Sequence, residues 1–76
     1  MPSSDEIIEI NTEFIRLDAL LKFAAAVESG GEAKHLIQEG FVQVNGQACL
    51  QRGKKIYNGE TVFVNGQSYK VLGGAK

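Results

Sequence analysis

The apolar residues of this 76-residue chain change their period at Gly40, and no other feature restricts the fold as much. Before that point Leu17, Leu20, Leu21 and Ala24 fall at i, i+3, i+4 and i+7, the spacing of one helical face. After it the apolar residues alternate. Phe41, Val42 and Val44 run into Asn45-Gly46, and Thr61-Val62-Phe63-Val64 runs into Asn65-Gly66 and then Ser68-Tyr69-Lys70-Val71-Leu72. Asn-Gly between alternating apolar residues is the strongest short hairpin signal, because a type I′ turn needs positive φ at both central positions. The tetrapeptide Val-Asn-Gly-Gln occurs at 44–47 and again at 64–67, which marks shared turn chemistry and falls short of a repeat architecture. Asn58-Gly59 marks a further turn.

The first half carries its own punctuation. Ile7, Ile8 and Ile10, closed by Asn11-Thr12, predict a strand over residues 6–10. Asp18 sits where a negative charge suits a helix start, and Ala24-Ala25-Ala26 has high helix propensity, so a first helix is predicted over 17–26. Ser29 and Glu32 have the spacing of a capping box, Ala33, Leu36 and Ile37 form the next apolar stripe, and Gly40 stands where a C-terminal cap needs a left-handed residue. A second helix is therefore predicted over 30–39. The class is α+β: one short N-terminal strand, two helices, then a small, mainly antiparallel sheet of hairpins. The segment 51–55 reads as a basic loop, and the tail 73–76 is expected to fray.

Size and composition narrow the function. A chain of 8.2 kDa is one domain, with a core worth about 3–5 kcal/mol and little material for the walls of a large catalytic pocket. No apolar run approaches the ~18 residues of a membrane helix. The polar, acidic opening Met1-Pro2-Ser3-Ser4-Asp5-Glu6 is not a secretory signal. Cys49 is the only cysteine and has no internal partner, which fits a reducing, cytoplasmic setting. Cys49 and His35 are each alone of their kind, so no zinc spacing exists, and no Walker-type or dinucleotide fingerprint is present; Ser29-Gly30-Gly31 reads as a plain helix start ahead of a phosphate site. No catalytic residue, cofactor or metal is expected.

The net charge of −1 hides an asymmetry. Residues 1–40 set Arg16, Lys22 and Lys34 against eight carboxylates, for −5, while residues 41–76 set five cations against Glu60 alone, for +4. A basic half of this kind suits a polyanion or an acidic partner. Lys34 and Gln38, four apart, share a polar helical face with His35 beside them, and Arg52, Lys54 and Lys55 lie together on the 51–55 loop. If the second helix and that loop lie side by side, Arg16, Lys34, Arg52, Lys54 and Lys55 line one groove for phosphates. Gln38, Gln47 and His35 then reach riboses or base edges. Phe14, Phe23, Phe41, Tyr57, Phe63 and Tyr69 read as core or sheet residues. With no aromatic among the cations, recognition of folded RNA by shape and phosphate is expected ahead of a stacking platform.

An ordered set of short motifs carries a resemblance. Arg16-Leu17-Asp18-x-x-Leu21 is followed by Ser29-Gly30-Gly31-Glu32-Ala33-Lys34. Next come Ile37-x-x-Gly40-x-Val42-x-Val44-Asn45-Gly46, Arg52-Gly53-Lys54-Lys55 and Gly59-Glu60-x-Val62. The set resembles the ribosomal-protein-S4-like RNA-binding domain, or αL motif, and within it the small stand-alone bacterial branch typified by YbcJ-like and YaaA-like proteins. The resemblance implies an N-terminal segment over 1–13, the RNA-binding domain over 14–72 and a tail over 73–76. It also implies non-catalytic binding of structured RNA, often ribosomal RNA. By position, Arg16 opens the first helix on the RNA side, Lys34 and His35 lie on the RNA face of the second, and Arg52, Lys54 and Lys55 extend that surface. Many family members carry an arginine after the serine that opens the second helix; Gly30 stands there in this chain and removes one phosphate contact. The expected partner is a structured RNA or ribosomal subunit, bound by a monomer. Two other readings stand beside this one. Gly73-Gly74 near the end resembles a ubiquitin-like sulfur carrier, although Ala75-Lys76 follow and the chain order differs. A protein-interaction domain using the acidic half is the other.

Overall fold

The computed structural model describes residues 5–73. Among the described residues seven strands and two helices follow one another: β1 (Glu6–Ile10), β2 (Phe14–Arg16), α1 (Leu17–Phe23), α2 (Gly30–Gln38), β3 (Gln43–Val44), β4 (Gln47–Ala48), β5 (Lys55–Tyr57), β6 (Thr61–Val64) and β7 (Gln67–Gly73). The main sheet has the order β1-β7-β6-β3-β4, and β2 and β5 form a separate two-stranded ribbon. The fold is α+β, as the change of period requires. Gly73 closes β7; the rest of the tail expected over 73–76 lies outside the described residues.

Both Asn-Gly pairs make the expected two-residue hairpins, with Val44 opposite Gln47 and Val64 opposite Gln67. Asn45 and Asn65 have φ of 53° and 55°, the positive values a type I′ turn demands. The β1 strand adds to the far edge of β7 in parallel, Ile8 opposite Val71, so the sheet is antiparallel except at this edge. Alternation puts Ile8, Val44, Val62, Val64, Tyr69 and Val71 into one buried cluster with Leu17, Leu20 and Leu21 of α1 and Ala33 and Ile37 of α2. No polar or charged side chain is buried among the described residues, so apolar burial alone holds the core.

The second helix starts as its capping box predicts: Ser29 Oγ accepts from the Glu32 N–H at 3.2 Å. Glu32 reaches one residue further back than expected, its Oε1 accepting from the Glu28 N–H at 2.9 Å. Gly40, at φ 85°, ends α2, with the Gly40 N–H bonded to the Ile37 carbonyl and the Phe41 N–H to that of Leu36. The first helix differs from its expected end. It stops at Phe23, three residues short of 26, because Ala25 turns left-handed at φ 60°. The Ala25 N–H bonds to the Lys22 carbonyl and the Ala26 N–H to that of Leu21. This is the same Schellman cap as at Gly40, made with alanine at the left-handed position. The turn brings Val27 into the core, and burial there overrides the helix propensity of the three alanines.

Two further expectations are corrected. Phe23 and Phe41 are 65% and 60% exposed, so neither belongs to the core. Lys55, read as part of a loop, begins β5 and pairs with Arg16 of β2. Three-residue strands are too short for alternation to reveal them.

Candidate nucleic-acid interface

The start of α1 and the basic loop are fastened through the backbone. The Leu17 N–H bonds to the Lys54 carbonyl at 2.8 Å, and the Asp18 N–H to the Arg52 carbonyl at 3.0 Å. Both are among the first N–H groups of α1, which a helix cannot satisfy internally, so the loop serves as its cap. The register beside this contact puts Phe14 opposite Tyr57, Ile15 opposite Ile56 and Arg16 opposite Lys55. Ile56 is fully buried and Ile15 packs on the core, which turns Phe14, Arg16, Lys55 and Tyr57 to the outer face.

Four expected site residues, Arg16, Arg52, Lys54 and Lys55, are thus brought to one corner of the molecule. Arg16 Nη2 lies 3.3 Å from Asp18 Oδ2, in side chains 55% and 23% exposed. Arg52 and Lys54 make no ion pair or side-chain hydrogen bond with the described residues. Gly53 carries the loop past the Arg16 guanidinium, with space for a Cβ at 3.5 Å from Nη2.

Two open hollows flank this corner. One, of about 460 Å³, has both Gln47 of β4 and Lys54 of the loop in its lining. Glu60 also lines it, but its carboxylate is engaged: Oε1 accepts from the Tyr57 N–H at 2.7 Å and Oε2 from Asn45 Nδ2 at 3.2 Å. Asn45 Oδ1 in turn accepts from the Thr61 N–H at 3.0 Å. Glu60 therefore clasps the β3–β4 turn to the end of β5. The second hollow, of about 370 Å³, is lined by Arg16, Asp18, Ala19, Lys22 and Gly30. Gly30, Lys34 and Gln38 stand at i, i+4 and i+8 of α2, one face leading away from this hollow. Lys34, His35 and Gln38 are exposed, opposite buried Ala33 and Ile37. The hollow at Gly30 joins the start of this α2 face to Arg16 and Lys22.

Sequence reasoning missed two features. Lys22 joins the hollow beside Arg16; its place opposite the Leu17/Leu20/Leu21 stripe was the available signal. Aromatic rings also stand among the cations, contrary to expectation. The Phe14 and Tyr57 rings lie 5.8 Å apart at 51°, and Lys55 Nζ sits 4.9 Å from the Phe14 ring centre. That neighbourhood depends on β2 pairing with β5 across forty residues of chain, which no local pattern reports.

The helix pair followed by a hairpin sheet matches the fold of a solved structure with an αL motif. The profile of the S4 domain matches residues 8–72, and the chain belongs to that family. It is 42% identical over 59 residues to a probable ribosome maturation protein, RlbA, of Bacillus subtilis strain 168, covering 78% of this chain and 83% of that one. Among solved structures it is similar to YbcJ from E. coli, with a TM-score of 0.70 and 34% identity over 92% of this chain and 90% of that one. The YbcJ structure is described as revealing an αL motif involved in RNA binding.

Proposed function

We propose that this chain is a non-catalytic RNA-binding module of the cytoplasm that recognises structured RNA as a monomer. The observation that carries the reading is the corner where Arg16, Arg52, Lys54 and Lys55 converge, with Asp18 the one carboxylate paired to them among the described residues. Exposed cations on a fixed backbone release counterions when they meet phosphates. The surface extends through Lys22 to Lys34, His35 and Gln38 of α2 and through Lys54 to Gln47. Phosphate contacts by the cations fix orientation, and the amides and imidazole read riboses and exposed base edges.

The likeness to a probable ribosome maturation protein and to an αL structure involved in RNA binding supports ribosomal RNA, or a ribosomal subunit, as the partner. The 14–72 segment is the RNA-binding unit in this reading. The sulfur-carrier alternative gains nothing from Gly73: a carrier keeps its glycines on a free tail, whereas the Gly73 N–H is donated to Asn58 Oδ1 at 2.9 Å at the end of β7.

The test is binding of the purified protein to a folded ribosomal RNA fragment and to duplex DNA of equal length. Tighter binding to the RNA, weakening as salt rises, is expected. No RNA binding at low salt overturns the proposal.

A further inference from the structure

The outer face of the β2–β5 ribbon is a two-by-two array: two aromatic rings, Phe14 and Tyr57, at one end, and two cations, Arg16 and Lys55, at the other. Antiparallel pairing sets each pair directly opposite, and the pleat turns both pairs to the same side because Ile15 and Ile56 face the core. The pairs are not equivalent in use. Phe14 is half-buried and is covered by the Lys55 ammonium at 4.9 Å, so its ring is already occupied by a cation–π contact. Tyr57 is 42% exposed, and its ring, tilted 51° from that of Phe14, is braced by it. The Tyr57 backbone is fixed as well, its N–H held by Glu60 Oε1 at 2.7 Å. A braced, exposed ring beside two cations is otherwise an unused apolar surface in the most basic part of the molecule.

We propose that this face takes one unpaired nucleobase of the RNA, which stacks on Tyr57 while Arg16 and Lys55 hold the adjoining phosphates. The inference rests on the RNA-binding reading and adds to it a class of target: a helix interrupted by a bulge or junction. Charge complementarity selects a polyanion, and the ring selects a base that is free to leave its stack. The spacing agrees. Residues two apart on a strand are separated by about 6.6–6.8 Å, the scale of a single nucleotide from base to phosphate. Bases inside a continuous duplex are stacked on each other and cannot use the ring.

The experiment compares a short RNA hairpin carrying one bulged adenosine with the same hairpin fully paired. The wild-type chain is expected to favour the bulged hairpin by at least about fivefold, the lower range for one base stacked on an aromatic ring. Tyr57→Leu is expected to lose that preference and keep its affinity for the paired hairpin, while Tyr57→Phe keeps the preference. Circular dichroism confirms that each variant is folded. Because the chain has no tryptophan, Tyr57→Trp gives a single reporter, expected to be quenched by the bulged hairpin and not by the paired one. Equal affinity of the wild-type chain for both hairpins overturns the inference and leaves RNA binding standing, as does a preference that survives in Tyr57→Leu. Failure to bind either hairpin overturns both.

Discussion

Asp18→Asn tests the cationic corner with two readouts of opposite sign. The substitution keeps the shape of the side chain and the acceptor that takes the Ala19 N–H at 2.8 Å. It removes the negative charge that faces Arg16, 3.3 Å from Nη2. For stability, the loss has two parts. A carboxylate in the first turn of a helix contributes about 0.3–1 kcal/mol. The ion pair, with Arg16 more than half exposed, lies in the range of about 0–1 kcal/mol once solvent screening is allowed for. A total near 1 kcal/mol lowers the melting temperature of a domain this size by about 4–8 °C. For RNA binding the sign reverses. Arg16 no longer has to exchange Asp18 for a phosphate, and the RNA no longer approaches a carboxylate. At about 1 kcal/mol for unit charges some 4 Å apart in water, affinity rises about fivefold at low salt. The gain shrinks as the Debye length falls to about 10 Å at 0.1 M and below that at higher salt. Fluorescence anisotropy with a labelled RNA at two salt concentrations, beside a thermal melt, gives both numbers. A folded variant that binds RNA no more tightly at low salt refutes the placement of Arg16 on the binding surface.

Two other positions make separate predictions. At Gly30 a Cβ would have no neighbour within 4 Å, so Gly30→Arg projects a cation over the hollow shared by Arg16 and Lys22. RNA affinity is expected to rise and the log–log salt slope to steepen by about 0.9 on a duplex-like target; a slope unchanged in titrations places the new side chain off the RNA path. Tyr69 is buried in β7 opposite Glu6, and burial first, then the Glu6 charge, raises its phenol above the ordinary value of 10.0. Above pH 10 the unfolded chain releases a proton that the native chain retains, so stability is fully present below that pH and is lost as pH rises through the folded value. Urea midpoints are expected to fall more steeply above pH 10 in the wild-type chain than in Tyr69→Phe, and parallel curves contradict this assignment.

Much of the fold was legible because its decisive signals are local. The capping box at Ser29, the left-handed stop at Gly40 and both Asn-Gly hairpins each specify geometry within a few residues. The end of α1 was not legible. Three alanines favour helix, but burial of Val27 requires the chain to turn at Ala25. An alanine in the left-handed region costs about 1–2 kcal/mol, so no propensity scale would place the stop there. The candidate site divides in the same way. Its cations could be named from charge and family motif, but their assembly depends on the Leu17–Lys54 and Asp18–Arg52 backbone bonds and on the β2–β5 ladder. These join segments nearly forty residues apart through strands only three residues long. The aromatic pair beside the cations escaped notice for that reason, since Phe14 and Tyr57 meet only when the ribbon forms.

In the proposed reading the loop at 52–54 and Lys55 at the start of β5 meet RNA phosphates. Its most direct test is the salt dependence of RNA binding for the wild-type chain and for Lys54→Glu combined with Lys55→Glu. Both side chains are exposed, so the double variant is expected to fold. If each lysine meets a phosphate, the variant binds RNA more weakly across sequences. Its log–log salt slope is then shallower than the wild-type slope by about 1.4–1.8, from about 0.7–0.9 per contact. A folded double variant with wild-type affinity and wild-type slope contradicts the claim.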